Sequence, residues 1–476
     1  MRFRGRALWL IPGAVCLALY WPVLTGWYLA DDFLWLYQSR RFDQGVAWTS
    51  IFFTPTVHGT WRPFSERLFL FSFERWFGSA AWPLHAWVLA TQLANLWLAA
   101  GVAQRLTGSV TAGAVVGALW VANATVATVL AWACAYNYVL CATCLLGATM
   151  LLLRHLETGR WVDYGLQWLV FLVGFGVLET AIVYPALATA AAFLVGVRPW
   201  AKLAPLWAAS GVFAVAHPWL APKQTSGAYA LVWEPKALLA SVVWYGRVAL
   251  YPLEMDGIRR IAPAVAWSVA GALALAIASY LFWACRKRRR EPWFGLVWLL
   301  VTLAPVLPLR NQLQPYYLAL PVLGLAWVLA CGLQEAWRRG WAWRISAVAL
   351  TAATLALWAP VARRNALWWV ARSREARAVV ERLAEVQRDT PNQSVLLTQV
   401  PDAICRYVLA EHALEWRGLD RVQMAPTECR ELAHLPLIQR HTAPVGIDAG
   451  AWTVIPVAPL VATSVLSTRE PKKETR

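Results

Sequence analysis

The chain has 476 residues, of which 59% are hydrophobic and only 14% charged, against about 25% charged in an ordinary soluble domain, so a soluble enzyme, a disordered chain and a disulfide scaffold are excluded. Thirty-two tryptophans and a mean hydropathy of +0.47 are what accumulates when many helix ends sit at membrane interfaces, where an indole is apolar on one side and wet on the other. The net charge of +17 does not mark a nucleic-acid binder: Lys and Arg fall in short clusters between apolar runs, as in the loops of a membrane protein, and no nucleic-acid partner is expected.

Eleven apolar windows have the ~17–25 residues needed to cross a bilayer: 8–28, 84–104, 110–130, 136–153, 161–178, 180–197, 203–220, 263–285, 293–309, 316–334 and 345–361. The first follows Arg2, Arg4 and Arg6 but is long, carries Trp9, Tyr20, Trp21 and Trp27, and has no small-x-small cleavage site, so it reads as an uncleaved helix. With the N-terminus cytoplasmic, the inner segments hold 16 Lys or Arg in 41 residues and the outer loops 11 in 108. That contrast favours N-in, and an odd number of spans puts the tail outside. The expected fold is a polytopic α-helical membrane protein with about eleven transmembrane helices and a small extracytoplasmic α/β C-terminal domain. Residues 1–361 form the membrane module and 362–476 the tail, and a bacterial inner (plasma) membrane is the expected location.

Within the outer loop 29–83, an amphipathic run from Phe64 to Phe77 is expected to lie along the interface. Segment 237–253 is apolar but short and carries Arg247, which reads as interfacial or re-entrant. In the tail, an amphipathic helix is expected over 364–388 and a strand over 394–400, with period-2 character. Cys405 and Cys429 can pair if that side is oxidising. Cys141 and Cys144 form a CxxC inside an apolar helix, where packing explains them better than redox or zinc chemistry. Gly113 and Gly117 make a GxxxG, the mark of a close helix contact.

Acidic residues concentrate on the outer side, so chemistry is expected there. Asp31 and Asp32 stand just past the first span in WYLADDFLWLY; adjacent carboxylates in apolar surroundings suffer desolvation and mutual repulsion, and at least one should have a raised pKa and serve as a base. Glu179 separates two apolar runs at the outer boundary, where an acid is functional by default. Arg62, in HGTWRPF beside His58, with Arg259, Arg260 and Arg310, are candidates to grip a phosphate in two places.

The acidic pair, WRPF at 61–64, PLHAWVLATQLANLWL at 83–98, TVATVLAWACAYNYVL at 125–140, LETAIVYPAL at 178–187, WYGRVALYPLEM at 244–255 and PYYLALPVLGLAW at 315–327 together resemble the GT-C glycosyltransferase superfamily, most closely its protein O-mannosyltransferase-like (glycosyltransferase family 39-like) branch. The resemblance covers most of residues 25–330. It departs from that branch at Gln92, where His is usual, and at Leu178, where a Lys precedes the acid. It implies a hexosyltransferase type of enzyme that takes a sugar from a polyprenyl-phosphate donor to a hydroxyl on a protein, lipid or glycan acceptor at the outer face. It also implies Asp31 as the family's first acid, and leaves a divalent metal as an open cofactor. The rival readings are a polysaccharide ligase or polymerase, which usually carries a large Arg-rich outer loop, and a transporter or flippase of lipid-linked sugars, which would want inverted repeats and charges at the midplane.

Overall fold

The computed structural model describes residues 6–56, 59–222, 225–251, 263–444 and 452–464. Every apolar window is helical. Among the described residues, six helical stretches are long and apolar enough to cross a membrane: Ala7–Thr25, Trp82–Thr107, Ala133–Thr158, Trp200–Leu220, Trp267–Arg286 and Trp341–Asp389. Four shorter apolar helices, Val110–Ala122, Trp161–Phe175, Glu179–Leu194 and Glu291–Val306, lie in four more windows, and Pro321–Arg339 in the last. We number the main helices α1 (Leu10–Tyr20), α2 (Asp32–Asp43), α3 (Phe69–Phe77), α4 (Trp82–Thr107), α5 (Val110–Ala122), α6 (Tyr136–Thr158), α7 (Trp161–Phe175), α8 (Tyr184–Leu194), α9 (Trp200–Leu220), α10 (Pro235–Leu250), α11 (Pro263–Arg286), α12 (Glu291–Leu303), α13 (Pro321–Arg339) and α14 (Trp341–Asp389).

Small residues set the close crossings. A Cβ added at Gly113 would lie 2.6 Å from the Ala100 carbonyl oxygen on α4, and one at Gly117 would lie 2.9 Å from Pro12 on α1, so the GxxxG is where α5 wedges between its neighbours. A second crossing, unmarked by any motif, joins α12 and α13, where Gly295 and Gly324 face each other's backbone. Cys141 and Cys144 are buried and unpaired on α6, as packing residues.

The window 110–130 is not one helix. Asn123 interrupts it: its side-chain oxygen accepts from the Thr125 amide (3.1 Å) and hydroxyl (2.8 Å). This local alternative to the helical ladder ends α5 at Ala122 and restarts a short helix at Val126. The reverse correction applies at 361/362. The expected span 345–361 and the expected amphipathic helix 364–388 are one helix, α14, of 49 residues, about 73 Å at 1.5 Å per residue against ~30 Å of hydrocarbon. Nothing after Pro360 breaks it, because Arg363 and Arg364 are good helix formers and Arg363 donates to the Ala18 and Leu19 carbonyls at the end of α1. The loop 29–83 holds α2, a short helix Trp48–Phe53, a π-helical turn Pro63–Leu68 and α3. Segment 237–253 is helical over most of its length, as α10.

The tail carries a three-stranded parallel sheet, ordered β2 (Val422–Met424), β1 (Ser394–Thr398), β3 (Trp452–Pro456). Val395, Leu396 and Leu397 are all buried, so the expected alternation is absent: a central parallel strand is covered on both faces and reads as a continuous apolar run. A disulfide joins Cys405 to Cys429. The tail is docked on the membrane module. Trp416 packs among Trp27, Tyr28 and Phe33, with ring centroids 5.8, 5.5 and 5.9 Å away, and His412 stacks on Tyr37 of α2.

Candidate active site

Where α1 ends, the chain turns sharply through Ala30 (φ +55°) before entering α2, and the two aspartates of that turn face different surroundings. The Asp32 carboxylate is buried and accepts two backbone amides, Leu29 N at 3.0 Å and Cys134 N at 2.7 Å. It ties the turn to the segment before α6. Asp31, half-buried, opens onto a cavity of about 1020 Å³. The adjacent pair therefore divides into one half-buried acid that opens onto the cavity and one internal tie. Burial pushes both carboxyls up: Asp31 to about 6, with the charge of Glu66 adding to the rise, and Asp32 to about 7 despite the amides it accepts.

Arg62 and Glu179 come together in the same cavity. Phe64 N donates to Gly176 O (3.1 Å) and Ser65 Oγ to Val177 O (2.6 Å), stitching the loop to the turn before Glu179. Gly176 permits this approach, since a Cβ there would lie 2.6 Å from the Phe64 ring. Arg62 Nε then reaches Glu179 Oε2 at 2.9 Å, NH2 reaches the same oxygen at 2.8 Å, and NH1 reaches Glu66 Oε1 at 2.7 Å. Glu66 also accepts from Asn137 (3.1 Å), and His217 of α9 lies 3.7 Å from Glu179. Two carboxylates thus fix the guanidinium plane. Three of its five N–H donors are used by these contacts.

Arg310 sits in the turn after α12 and does not line the cavity, although its neighbour Leu309 does. His58, Arg259 and Arg260 lie outside the described residues. Arg41, Arg67 and Glu411 line the cavity as well, and none of them stands out in the sequence. Arg41 and Arg67 come from loop 29–83; Arg67 donates to Ile51 O (2.7 Å) and lies over the Trp35 ring. Glu411 is contributed by the tail, and burial followed by the charges of Asp31 and Asp32 pushes it up to about 8. The tail also fixes the aspartate turn directly, since Ala30 N donates to Tyr407 O at 3.0 Å. Trp132, Tyr138, Tyr229, Trp233, Tyr316 and Tyr317 are aromatic residues among the other lining side chains. Among the described residues no group of three or more His, Cys, Asp or Glu side chains is placed to hold a metal ion.

Two solved structures are similar to the chain along most of its length. Both are of ArnT from Cupriavidus metallidurans. The apo form is 14% identical, with 91% of this chain and 88% of that chain covered and a TM-score of 0.46; the form bound to undecaprenyl phosphate has the same identity and coverage and a TM-score of 0.43. No family model and no curated protein matches the chain.

Proposed function

We propose that the chain is an integral membrane glycosyltransferase of the hexosyl-transferring type, working at the outer face of a bacterial inner membrane. Its N-terminus is cytoplasmic and its tail extracytoplasmic. The donor is a sugar on a polyprenyl phosphate and the acceptor a hydroxyl on a protein, lipid or glycan. The observation that carries this reading is the shared cavity of about 1020 Å³ lined both by Asp31, raised to about 6, and by a guanidinium already locked in orientation.

In the reaction, the acceptor oxygen attacks the anomeric carbon and loses its proton to the Asp31 carboxylate. The bond from that carbon to the phosphate oxygen breaks, its electron pair leaves with the carrier phosphate, and the anomeric configuration inverts in one displacement. Arg62 meets the charge that grows on the leaving phosphate, and because Glu66 and Glu179 hold it beforehand, little reorganisation is needed at that moment. Asp32 acts by keeping the turn in place.

The test is transfer of radiolabelled sugar from polyprenyl phosphate in membranes containing the full chain, wild type against Asp31→Asn. Equal transfer by both would overturn the reading. A reporter fused after residue 362 that is active only in the cytoplasm would overturn the orientation.

A further inference from the structure

A second cavity lies away from the candidate site. It is a groove of about 460 Å³ between α11, α13 and α14, lined over residues 272–283, 328–339 and 343–354. At about 1.5 Å per residue each stretch is about 16 Å long, half of the ~30 Å hydrocarbon core and so the depth of one leaflet. The α13 helix starts beside the cavity-lining Tyr316 and Tyr317 and ends at Arg339, so the groove's mouth is roughly 27 Å further along that helix.

The walls are aliphatic, with Leu275, Ile277, Leu329 and Leu350 among them. The mouth is cationic and aromatic. The Arg339 guanidinium lies over the rings of Trp283 (4.1 Å) and Trp343 (5.4 Å) and reaches Glu335 at 3.2 Å, while Arg289 approaches the same acid at 3.9 Å. The helix ends at this level carry five consecutive cations at residues 286–290 and the pair Arg338 and Arg339, with two acids, Glu291 and Glu335. Indoles mark the level of the headgroups, and an excess of cations beside an interhelical groove suits an anionic headgroup.

We propose that this groove binds an anionic phospholipid, one acyl chain lying between α11, α13 and α14 and the phosphate held at Arg289 and Arg339. The one-leaflet length selects an acyl chain, and the charge of the mouth selects an acidic lipid over a zwitterionic one. The site is independent of the transferase reading.

The experiment uses the full chain in lipid nanodiscs and a phosphatidylglycerol probe with a photoreactive diazirine on one acyl chain. Adducts are mapped by peptide mass spectrometry. Adducts concentrated in 272–283, 328–339 and 343–354, displaced at least tenfold more readily by unlabelled phosphatidylglycerol than by phosphatidylcholine, are expected. Arg289→Gln and Arg339→Gln should each weaken labelling about fivefold, the factor matching ~1 kcal/mol per cation at an anionic surface. Gly332→Leu should abolish it by filling the groove opposite Tyr280, whose ring a Cβ there would already approach to 3.5 Å. Equal displacement by phosphatidylcholine, displacement by inorganic phosphate, or adducts spread over other helices would each overturn the proposal. The competition is read on the unaltered chain, so a variant that fails to fold leaves it decisive.

Discussion

The two cavities handle charge in opposite ways. In the larger one, charges are paired within the protein: Arg62 is bracketed by Glu66 and Glu179, and beside the cavity the buried Asp32 accepts two backbone amides. In the groove, the walls carry almost no charge and the cations gather at the mouth, where solvent and headgroups can meet them. Charges enclosed by protein have to be paired or shifted in pKa, whereas cations at a helix end need only reach the interface. The acid that opens onto the first cavity outside these pairs, Asp31, is therefore its more informative feature.

The sharpest way to break that view is to separate the two aspartates. Asp31→Asn should lower turnover by about 10²–10⁴, the usual cost of losing a general base, with the melting temperature unchanged. Asp32→Asn should do the reverse in kind. It presents an NH₂ group to an amide that needs an acceptor, so it should cost about 1–3 kcal/mol of stability, read as a lower melting temperature, with a smaller effect on turnover. A stable, inactive Asp32→Asn beside an active Asp31→Asn would exchange the roles.

Next in size is the guanidinium. Arg62→Ala should raise the KM for the lipid-phosphate sugar by about 10- to 100-fold, as expected for a charged hydrogen-bonded contact of ~1.5–3 kcal/mol, with the acceptor KM little changed. Arg62→Lys should recover only part, having the charge without the planar fork. Arg310→Ala, outside the cavity, should leave donor dependence as it is. Donor titrations on the three variants distinguish these outcomes, and equal effects at both arginines would place the phosphate elsewhere.

A smaller effect is expected in the pH profile. With Asp31 as the proposed base, kcat/KM should rise with pH through about 6 and flatten above it. Glu66→Gln removes a negative charge that raises this pKa, so its acid limb should move to lower pH even if its plateau falls through loss of the Arg62 contact. A limb that moves upward would contradict the assignment of the acid limb to Asp31.

Much of this was legible in the sequence where the cause is local. Apolar length marks the helices, and an acidic pair one turn beyond a span marks the place where carboxyls are forced out of water. Glu179 and Arg62 were each recognisable from their neighbours, but their pairing, 117 positions apart, depends on how the loop is stitched to Gly176. Glu411 had no comparable signal, because its meaning lies in a tail that folds back over a turn some 380 positions earlier. The Gly295–Gly324 crossing was equally hidden, since each glycine stands alone on its own helix. Local hydrogen bonding explains the opposite errors at Asn123, which breaks an apolar run, and at Arg363, which continues a helix past the expected domain boundary.

The last prediction concerns the tail's hold on the site and has the smallest expected effect on turnover. Ala30 has a left-handed φ, uncommon for a residue with a Cβ, and its amide is held by the Tyr407 carbonyl two residues beyond Cys405. The disulfide closes a loop with a sequence separation of 24, a constraint of about 3 kcal/mol on the unfolded tail. Replacing both cysteines by serine should therefore make the tail easier to cleave by protease and lower transfer a few-fold, through a less fixed Asp31, without changing the donor KM. The same loss after mild reduction of the wild type, absent in the serine variant, would tie the effect to this bond. Full activity with a fully loosened tail would show instead that α2 and Asp32 hold the turn unaided.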